Sequence, residues 1–159
     1  MSLSRILMID DEPAFLKLLG RRLEGRGYEV IATDDPHQGV ALAAAHRPDV
    51  ILLDLYMPGL DGYELAKLLR ADERTRAIPI VVLSAAHQPR FRKKSLDWGA
   101  DAHVAKGGLG LPEDLGRALD RQGISVARKD EPNLAVLFDA IDRAVAGRKA
   151  APDGRGAGR

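Results

Sequence analysis

The chain has 159 residues, 45% hydrophobic and 30% charged, which is typical of one globular domain. Its 24 Lys and Arg residues nearly balance 23 Asp and Glu residues, for a net charge of +1, so charge gives no reason to expect a nucleic-acid or membrane partner. The chain has no cysteine, which excludes disulfides, thiolate catalysis and cysteine-based zinc sites.

Short apolar runs alternate with amphipathic stretches from residue 5 to about residue 105. This alternation is typical of βα units that build a parallel sheet covered by helices on both faces. Five strands are predicted, over residues 5–9, 28–32, 50–55, 78–83 and 102–105. Four helices are predicted between them, over residues 13–25, 36–46, 62–71 and 89–98. The fold class is therefore α/β, a doubly wound five-stranded parallel sheet, and functional groups are expected beyond the carboxyl ends of its strands.

Two stretches compete to be the closing helix after residue 106. Residues 112–122 contain Gly116 in their interior, and an internal Gly costs about 1 kcal/mol relative to Ala. Residues 132–146 have the longer apolar face, formed by Leu134, Leu137, Phe138, Ile141 and Val145. We therefore predict that residues 132–146 form the closing helix.

The domain is accordingly predicted to cover residues 4–147, with an insertion at about residues 107–130. Residues 148–159 are rich in Gly, Ala and basic residues without apolar periodicity, and we expect them to form a disordered basic tail. No apolar run reaches the roughly 20 residues that a membrane helix needs, and the first residues lack a signal-peptide pattern. A cytoplasmic protein without a membrane partner is expected.

Carboxylates follow two strands that should be neighbours in the sheet. Asp10 and Asp11 come directly after strand 5–9, and Asp54 lies at the end of strand 50–55. Carboxylates gathered at one point raise one another's pKa unless a cation is present, and hard oxygen ligands of this kind suit Mg²⁺. The sequence therefore predicts a Mg²⁺ site at this edge.

Two further side chains are expected at the same edge. Ser84 follows the fourth predicted strand and Lys106 follows the fifth, which adds a hydroxyl donor and a positive charge. A carboxylate nucleophile, a divalent cation, a cationic side chain and a hydroxyl are what transfer of a phosphoryl group onto Asp requires. The predicted product is an aspartyl phosphate at Asp54.

Four segments together resemble the response regulator receiver (CheY-like) family. They are MIDDEP at residues 8–13, LDLYMPGLDG at residues 53–62, LSA at residues 83–85, and Lys106. Each segment alone is a weak signal, but their order, spacing and placement at strand ends are highly specific. The resemblance covers about residues 4–106, and it implies a flavodoxin-like sheet with strand order 2-1-3-4-5.

The resemblance also implies the roles of individual residues. Asp54 would be the phosphoacceptor and a metal ligand, and Asp11 would bind Mg²⁺ directly. Asp10 would bind the same ion through water, and the backbone carbonyl of Tyr56 would be a further ligand.

The predicted switch residues are Ser84 and His103. Ser84 and Lys106 would contact the phosphoryl oxygens, and His103 lies where the family usually has an aromatic residue that turns inward. The family also commonly has a proline directly after the lysine, where this chain has Gly107 and Gly108. That difference affects the geometry of the last loop rather than the lysine.

The implied function is a stand-alone receiver in a two-component phosphorelay rather than an enzyme. Its donor would be a sensor histidine kinase or a histidine phosphotransfer protein, and its output a downstream protein partner, with a phosphorylation-dependent homodimer left open. The residues after Lys106 are too few for a DNA-binding module of normal size together with a closing helix, so no direct nucleic-acid contact is expected.

Two alternatives belong to other classes. One is a pseudo-receiver that docks partners without phosphorylation. The presence of all three acidic residues, together with Ser84 and Lys106, argues against this alternative. The other is a phosphohydrolase with an aspartyl nucleophile. That class expects a second Asp two residues after the nucleophile as general acid, and Tyr56 occupies this position.

Overall fold

The structure is a computed structural model, and it describes residues 4–55, 57, 59–84, 100–105 and 133–150. Its strands are β1 (Arg5–Ile9), β2 (Glu29–Thr33), β3 (Val50–Asp54), β4 (Ile80–Ser84) and β5 (Ala102–Ala105). Its helices are α1 (Pro13–Gly25), α2 (Gly39–His46), α3 (Gly62–Ala71) and α4 (Asn133–Ala150), with a 3₁₀ turn (Pro36–Gln38) before α2.

The five strands form one parallel sheet in the order β2-β1-β3-β4-β5, which confirms the predicted fold class and strand order. Ile9, the last residue of β1, pairs with Thr33 on β2 and with Leu53 on β3. The carboxyl ends of these strands therefore lie at one edge. Strand β2 lies on one side of β1 and strand β3 lies on the other. The strand order therefore reverses here, and this edge is the topological switch point where α/β folds bind ligands.

Both faces of the sheet are covered, because successive side chains of a strand point to opposite faces. Ile6 and Met8 of β1 belong to one core cluster, together with residues of α1 and α4. Leu7 and Ile9 belong to the other cluster, together with residues of α2 and α3. The central strands are thus buried on both sides, as their near-continuous apolar sequences predict.

Helix α4 packs into the core through the predicted apolar face. Leu137 and Ile141 are fully buried and Val145 is 7% exposed. All three belong to the core cluster that contains residues of β1, β3 and β4. The second candidate for the closing helix therefore does occupy the core. The first candidate at residues 112–122, the helix at 89–98 and the insertion at 107–130 lie outside the described residues.

Helix α4 continues to Ala150, past residue 147, the predicted end of the domain. The closing helix was predicted to end at residue 146. Gly147 lies inside α4 with open space around it. The remaining residues of the predicted tail, 151–159, lie outside the described part of the chain.

Two strands begin later than predicted, because local hydrogen bonds engage the residues before them. The amide of Tyr28 donates to the carbonyl of Leu23 at the end of α1 (3.2 Å), so β2 begins at Glu29. The amide of Ile78 donates to Thr75 (3.0 Å). Pro79 follows without an N–H to donate, so β4 begins at Ile80.

The other differences concern Leu55 and the second predicted helix. Strand β3 ends at Asp54, because the carbonyl of Leu55 accepts a hydrogen bond from Gly62 instead of continuing the sheet. The predicted helix 36–46 begins as a 3₁₀ turn, where the side chain of Asp35 accepts from the amide of His37. Among the described helices, none combines the length and apolar character that crossing a bilayer demands.

Candidate functional site

Asp10 and Asp54 lie beside each other at the carboxyl edge of the sheet. Ile9 and Leu53 are register partners on β1 and β3. Asp10 directly follows Ile9, and Asp54 directly follows Leu53. Asp10 is 3% exposed and Asp54 is 5% exposed. Two buried carboxylates at adjacent strand ends repel each other, and a cation bound between them offsets that repulsion.

Hydrogen bonds fix the turn that carries Asp10. Its amide donates to the carbonyl of Thr33 at the end of β2 (3.2 Å), and its Oδ1 accepts from the amide of Glu12 (2.9 Å). The turn leads directly into α1, which has Pro13 in its first turn and Glu12 as its N-cap residue. Asp10 is therefore held from both β2 and the start of α1.

Three carboxylates form a cluster on this turn. One carboxylate oxygen from each of Asp10, Asp11 and Glu12 lies within 4.8 Å of the other two. Asp10 is buried, Asp11 half-buried and Glu12 exposed, so the cluster leads from the interior to the surface. Hard oxygen donors at this separation fit Mg²⁺, which is bound in proteins by one or two carboxylates together with water.

Glu12 was missed as a candidate ligand from the sequence. The available signal was the uninterrupted run Asp10-Asp11-Glu12, and the turn into α1 is what brings the third carboxylate back toward the first two. In the described part of the chain, Asp54 is not a member of this three-carboxylate group, although the strand register puts its backbone beside Asp10. Tyr56, the predicted carbonyl ligand, lies outside the described residues.

The junction between β3 and α3 holds the backbone that follows Asp54. The amide of Gly62 donates to the carbonyl of Leu55 (2.9 Å). Asp61 caps α3 by accepting from the amide of Tyr63 (2.7 Å). Gly59 has a φ of 87°, a left-handed conformation that glycine adopts without strain. The loop from Asp54 therefore returns to the sheet where its own strand ends.

Ser84 lies at the same edge as Asp54. Asp54 pairs with Leu83, so Ser84 is the next residue along β4, and Ser84 itself pairs with Ala105 on β5. Lys106 follows Ala105 in the sequence but lies outside the described residues. The backbone position of Ser84 is therefore the predicted one, while the roles of Ser84 and Lys106 stay predictions.

His103 lies on β5 opposite Val82. It is half-buried, and its neighbours Ala102 and Val104 pack against the core cluster on the other face of the sheet. Its side chain is therefore on the opposite face from α1 and α4. The switching role predicted for His103 remains a prediction.

The described surface around the buried carboxylates is acidic. Asp34 is exposed and Asp35 half-buried in the loop after β2, and the exposed Asp61 lies at the start of α3. These groups surround the same edge as Asp10 and Asp54. Summed negative charge of this kind raises the local concentration of a divalent cation.

Comparison with known proteins identifies the class to which this fold and site belong. Residues 6–110 match the response regulator receiver domain family. The chain therefore belongs to the response regulator receiver family, as the sequence resemblance predicted.

Several relatives support this membership. The DNA-binding dual master transcriptional regulator RpaA of Synechocystis sp. is 39% identical over 137 residues, which are 86% of this chain and 55% of RpaA. Protein PilH of Pseudomonas aeruginosa is 38% identical over 104 residues, which are 65% of this chain and 86% of PilH. The chain thus spans about half the length of RpaA but most of the length of PilH.

Solved structures show the same fold. The chemotaxis response regulator CheY4 of Vibrio cholerae superposes with a TM-score of 0.64 at 28% identity, over 76% of this chain and 98% of CheY4. The receiver domain of a signal transduction histidine kinase from Syntrophus aciditrophicus has a TM-score of 0.68 at 26% identity, over 94% of this chain and 96% of that domain.

Proposed function

We propose that this receiver domain takes a phosphoryl group on Asp54 from a phosphohistidine, supplied by a sensor histidine kinase or a histidine phosphotransfer protein. The observation that carries the proposal is the burial of Asp54 at the end of β3, level with Asp10 after β1 on one side and one residue short of Ser84 on β4 on the other. Membership of the receiver family supports it. Such a donor would be met in the cytoplasm.

The proposed reaction forms one bond and breaks one bond. A carboxylate oxygen of Asp54 attacks the phosphorus atom, and the bond between phosphorus and the donor imidazole nitrogen breaks. The electron pair of that bond stays on the imidazole nitrogen, and the product is an aspartyl phosphate. Ser84 and Lys106 would contact the phosphoryl oxygens through a hydroxyl and an ammonium group.

Asp10, Asp11 and Asp54 would hold Mg²⁺, together with the backbone carbonyl of Tyr56. The bound ion supplies positive charge that neutralises the phosphoryl oxygens during transfer. The carboxylate cluster of Asp10, Asp11 and Glu12 supports this assignment through its chemistry and its separation of at most 4.8 Å. The exposed Glu12 would contribute at the outer side of the site.

The proposed output is a change in the surface read by a downstream protein. The switch residues would be Ser84 and His103, which lie on adjacent strands, β4 and β5. A phosphorylation-dependent homodimer is one form that this output would take.

The test is the intact mass of the protein after incubation with Mg²⁺ and the small phosphodonor acetyl phosphate. The wild type should gain one phosphoryl group, and Asp54→Asn should gain none. Asp34→Asn is the matched control, because Asp34 is an exposed aspartate at the same edge, and it should behave as wild type. A wild type that gains no mass, or an adduct that persists in Asp54→Asn, would sink the proposal and favour a pseudo-receiver.

A further inference from the structure

The first residue of α3 lies directly on the backbone of Asp54. Gly62 is buried, and its amide donates a hydrogen bond to the carbonyl of Leu55 (2.9 Å). A β-carbon at Gly62 would overlap the carbonyl oxygen of Asp54 and would lie 2.6 Å from the α-carbon of Leu55. Non-bonded carbon atoms prefer about 3.5–4.0 Å, so only glycine fits here without a shift of the main chain.

The atoms around Gly62 distinguish it from two other buried glycines. A β-carbon at Gly39 would meet the side-chain methyl groups of Ile9 (3.0 Å) and Leu65 (3.1 Å), and side chains of this kind adjust by rotating. At Gly20 it would meet a methyl group of Val30 at 3.8 Å, an ordinary contact. At Gly62 the neighbours are backbone atoms on either side of the phosphoacceptor's peptide bond, and these move only if β3 or α3 moves.

Helix α3 is not free to move away. Leu65, Ala66 and Leu69 are at most 1% exposed and pack into the core cluster on that face of the sheet. On the other side, Asp54 is held by its pairing with Leu83 on β4. The main chain of Asp54 is therefore fixed between β4 and the first residue of α3.

We propose that Gly62 is a positioning residue for phosphorylation of Asp54. The missing side chain lets α3 lie against the Asp54 carbonyl, and that contact sets where the Asp54 carboxylate stands relative to Asp10 and the acyl or imidazole phosphate of the donor. A displacement of about 1 Å costs on the order of 10²-fold in the rate of an oriented reaction. The inference rests on the proposed function of Asp54.

The test compares Gly62→Ala with Ala66→Gly. Ala66→Gly weakens the same helix but adds no atom next to Asp54. The rate at which acetyl phosphate and Mg²⁺ phosphorylate Asp54 is followed by intact mass, at a temperature where unfolding curves show each variant folded. Gly62→Ala should lower the maximal rate about 10-fold or more and leave the half-saturating acetyl phosphate concentration unchanged. Ala66→Gly should keep the rate within about 2-fold although its unfolding midpoint falls.

A second measurement covers the case in which Gly62→Ala does not fold. In ¹⁵N-labelled wild type, the amide resonance of Gly62 should shift on phosphorylation by more than the amide resonance of Leu69. The reason is that the amide of Gly62 donates a hydrogen bond to Leu55, the residue after Asp54. An unchanged Gly62 amide, or an unchanged rate in folded Gly62→Ala, overturns the inference while Asp54 phosphorylation stands. A wild type that gains no mass overturns the proposed function itself, and the inference with it.

Discussion

Asp49 and Arg5 are joined by two reciprocal hydrogen bonds at the edge of the sheet opposite the site. The amide of Arg5 donates to Oδ2 of Asp49 (2.7 Å), and the amide of Asp49 donates to the carbonyl of Arg5 (2.7 Å). Asp101 and Ile80 repeat the arrangement, with distances of 2.8 Å and 2.9 Å. An aspartate before β3 and another before β5 thus each satisfy the first amide of the neighbouring strand.

The variant Asp49→Ala should lower the free energy of unfolding by about 1–3 kcal/mol, because it leaves the partly buried amide of Arg5 without its acceptor. Phosphorylation of Asp54 should persist, since the change lies at the opposite edge. Urea unfolding monitored by circular dichroism measures the stability. The exposed Asp34→Ala is the control and should stay within about 0.5 kcal/mol of wild type; equal losses in the two variants would contradict the role given to Asp49.

Gly20→Ala should raise the free energy of unfolding by about 0.5–1 kcal/mol, because Gly in a helix interior is less favourable than Ala by this amount. The space exists, since the added β-carbon meets only a methyl group of Val30 at 3.8 Å. Gly27→Ala is the matched variant, for which the opposite change in stability is expected. It also has open space, but its φ is 95°, so Ala there should destabilise by about 1–2 kcal/mol. Thermal unfolding measures the stability change of each variant. A change of the same sign in Gly20→Ala and Gly27→Ala would contradict this prediction.

Much of the fold could be predicted because local signals coincide with tertiary contacts. The bounds of β1, α1, α3 and β5 agree with the structure, and α1 illustrates why, since it begins at Pro13 and ends at Gly25. The start of β4 could not be predicted from apolar periodicity, because Ile78 is buried, 1% exposed, yet belongs to a turn. A buried apolar residue has the same pattern in a strand and in the turn that precedes it.

The candidate site was predictable where it depends on strand ends and not where it depends on turns. Asp10 and Asp54 each follow an apolar run that predicts a strand. Because these two strands are predicted to be neighbours in a parallel sheet, the two carboxylates are predicted to lie together. The approach of Glu12 to Asp10 depends on the turn into α1. The contact between Gly62 and Asp54 depends on how α3 packs. Neither of these two contacts produces a periodic pattern in the sequence from which it could be predicted.

Stability should fall at alkaline pH because of Tyr28. Burial raises its pKa, and the hydrogen bond to Asp142 and the negative charge of that residue raise it further, from 10.0 to about 12. Between these values the unfolded state loses the phenol proton that the folded state keeps, so the contribution is fully present below pH 10 and is lost as the pH rises toward 12.

Urea unfolding between pH 9 and pH 12 tests this contribution. Wild type should lose stability more steeply above pH 10 than Tyr28→Phe, which has no phenol proton at that position. Asp142→Asn should flatten the dependence in part, since Asp142 supplies the second and third causes of the raised pKa. Identical slopes in wild type and Tyr28→Phe would show that the pKa of Tyr28 is not raised in the folded protein.

Mg²⁺ should stabilise the folded protein, because the proposed site is a carboxylate cluster that the unfolded chain does not assemble. At a concentration of 100 times the dissociation constant the gain is about 2.7 kcal/mol. Asp11→Ala should remove most of this gain. Glu12→Gln should remove less, since Glu12 is exposed at the outer side of the cluster. Thermal unfolding at increasing Mg²⁺ concentration measures the shift, and an unchanged titration in Asp11→Ala would place the ion elsewhere.

Ile141→Ala should destabilise the protein by about 2–5 kcal/mol, the usual range for truncating a buried isoleucine. Ile141 is fully buried on α4, whereas Val136 on the same helix is 52% exposed. Val136→Ala should therefore change stability by no more than about 0.5 kcal/mol. Urea unfolding of the two variants tests whether α4 is part of the core in solution, and a small effect of Ile141→Ala would show that it is not.

Replacing residues 107–130 with a short linker should leave the core folded, because α4 already supplies the apolar face that packs beside β1, β3 and β4. Helix α4 is also held by Arg26 of the turn after α1. The Arg26 guanidinium lies 4.3 Å from the ring centre of Phe138 and 3.5 Å from the carboxylate of Asp142. The shortened protein should still accept a phosphoryl group on Asp54, and its partner binding or self-association should weaken. Unfolding of the shortened protein, seen by circular dichroism, would show that residues 112–122 are part of the core.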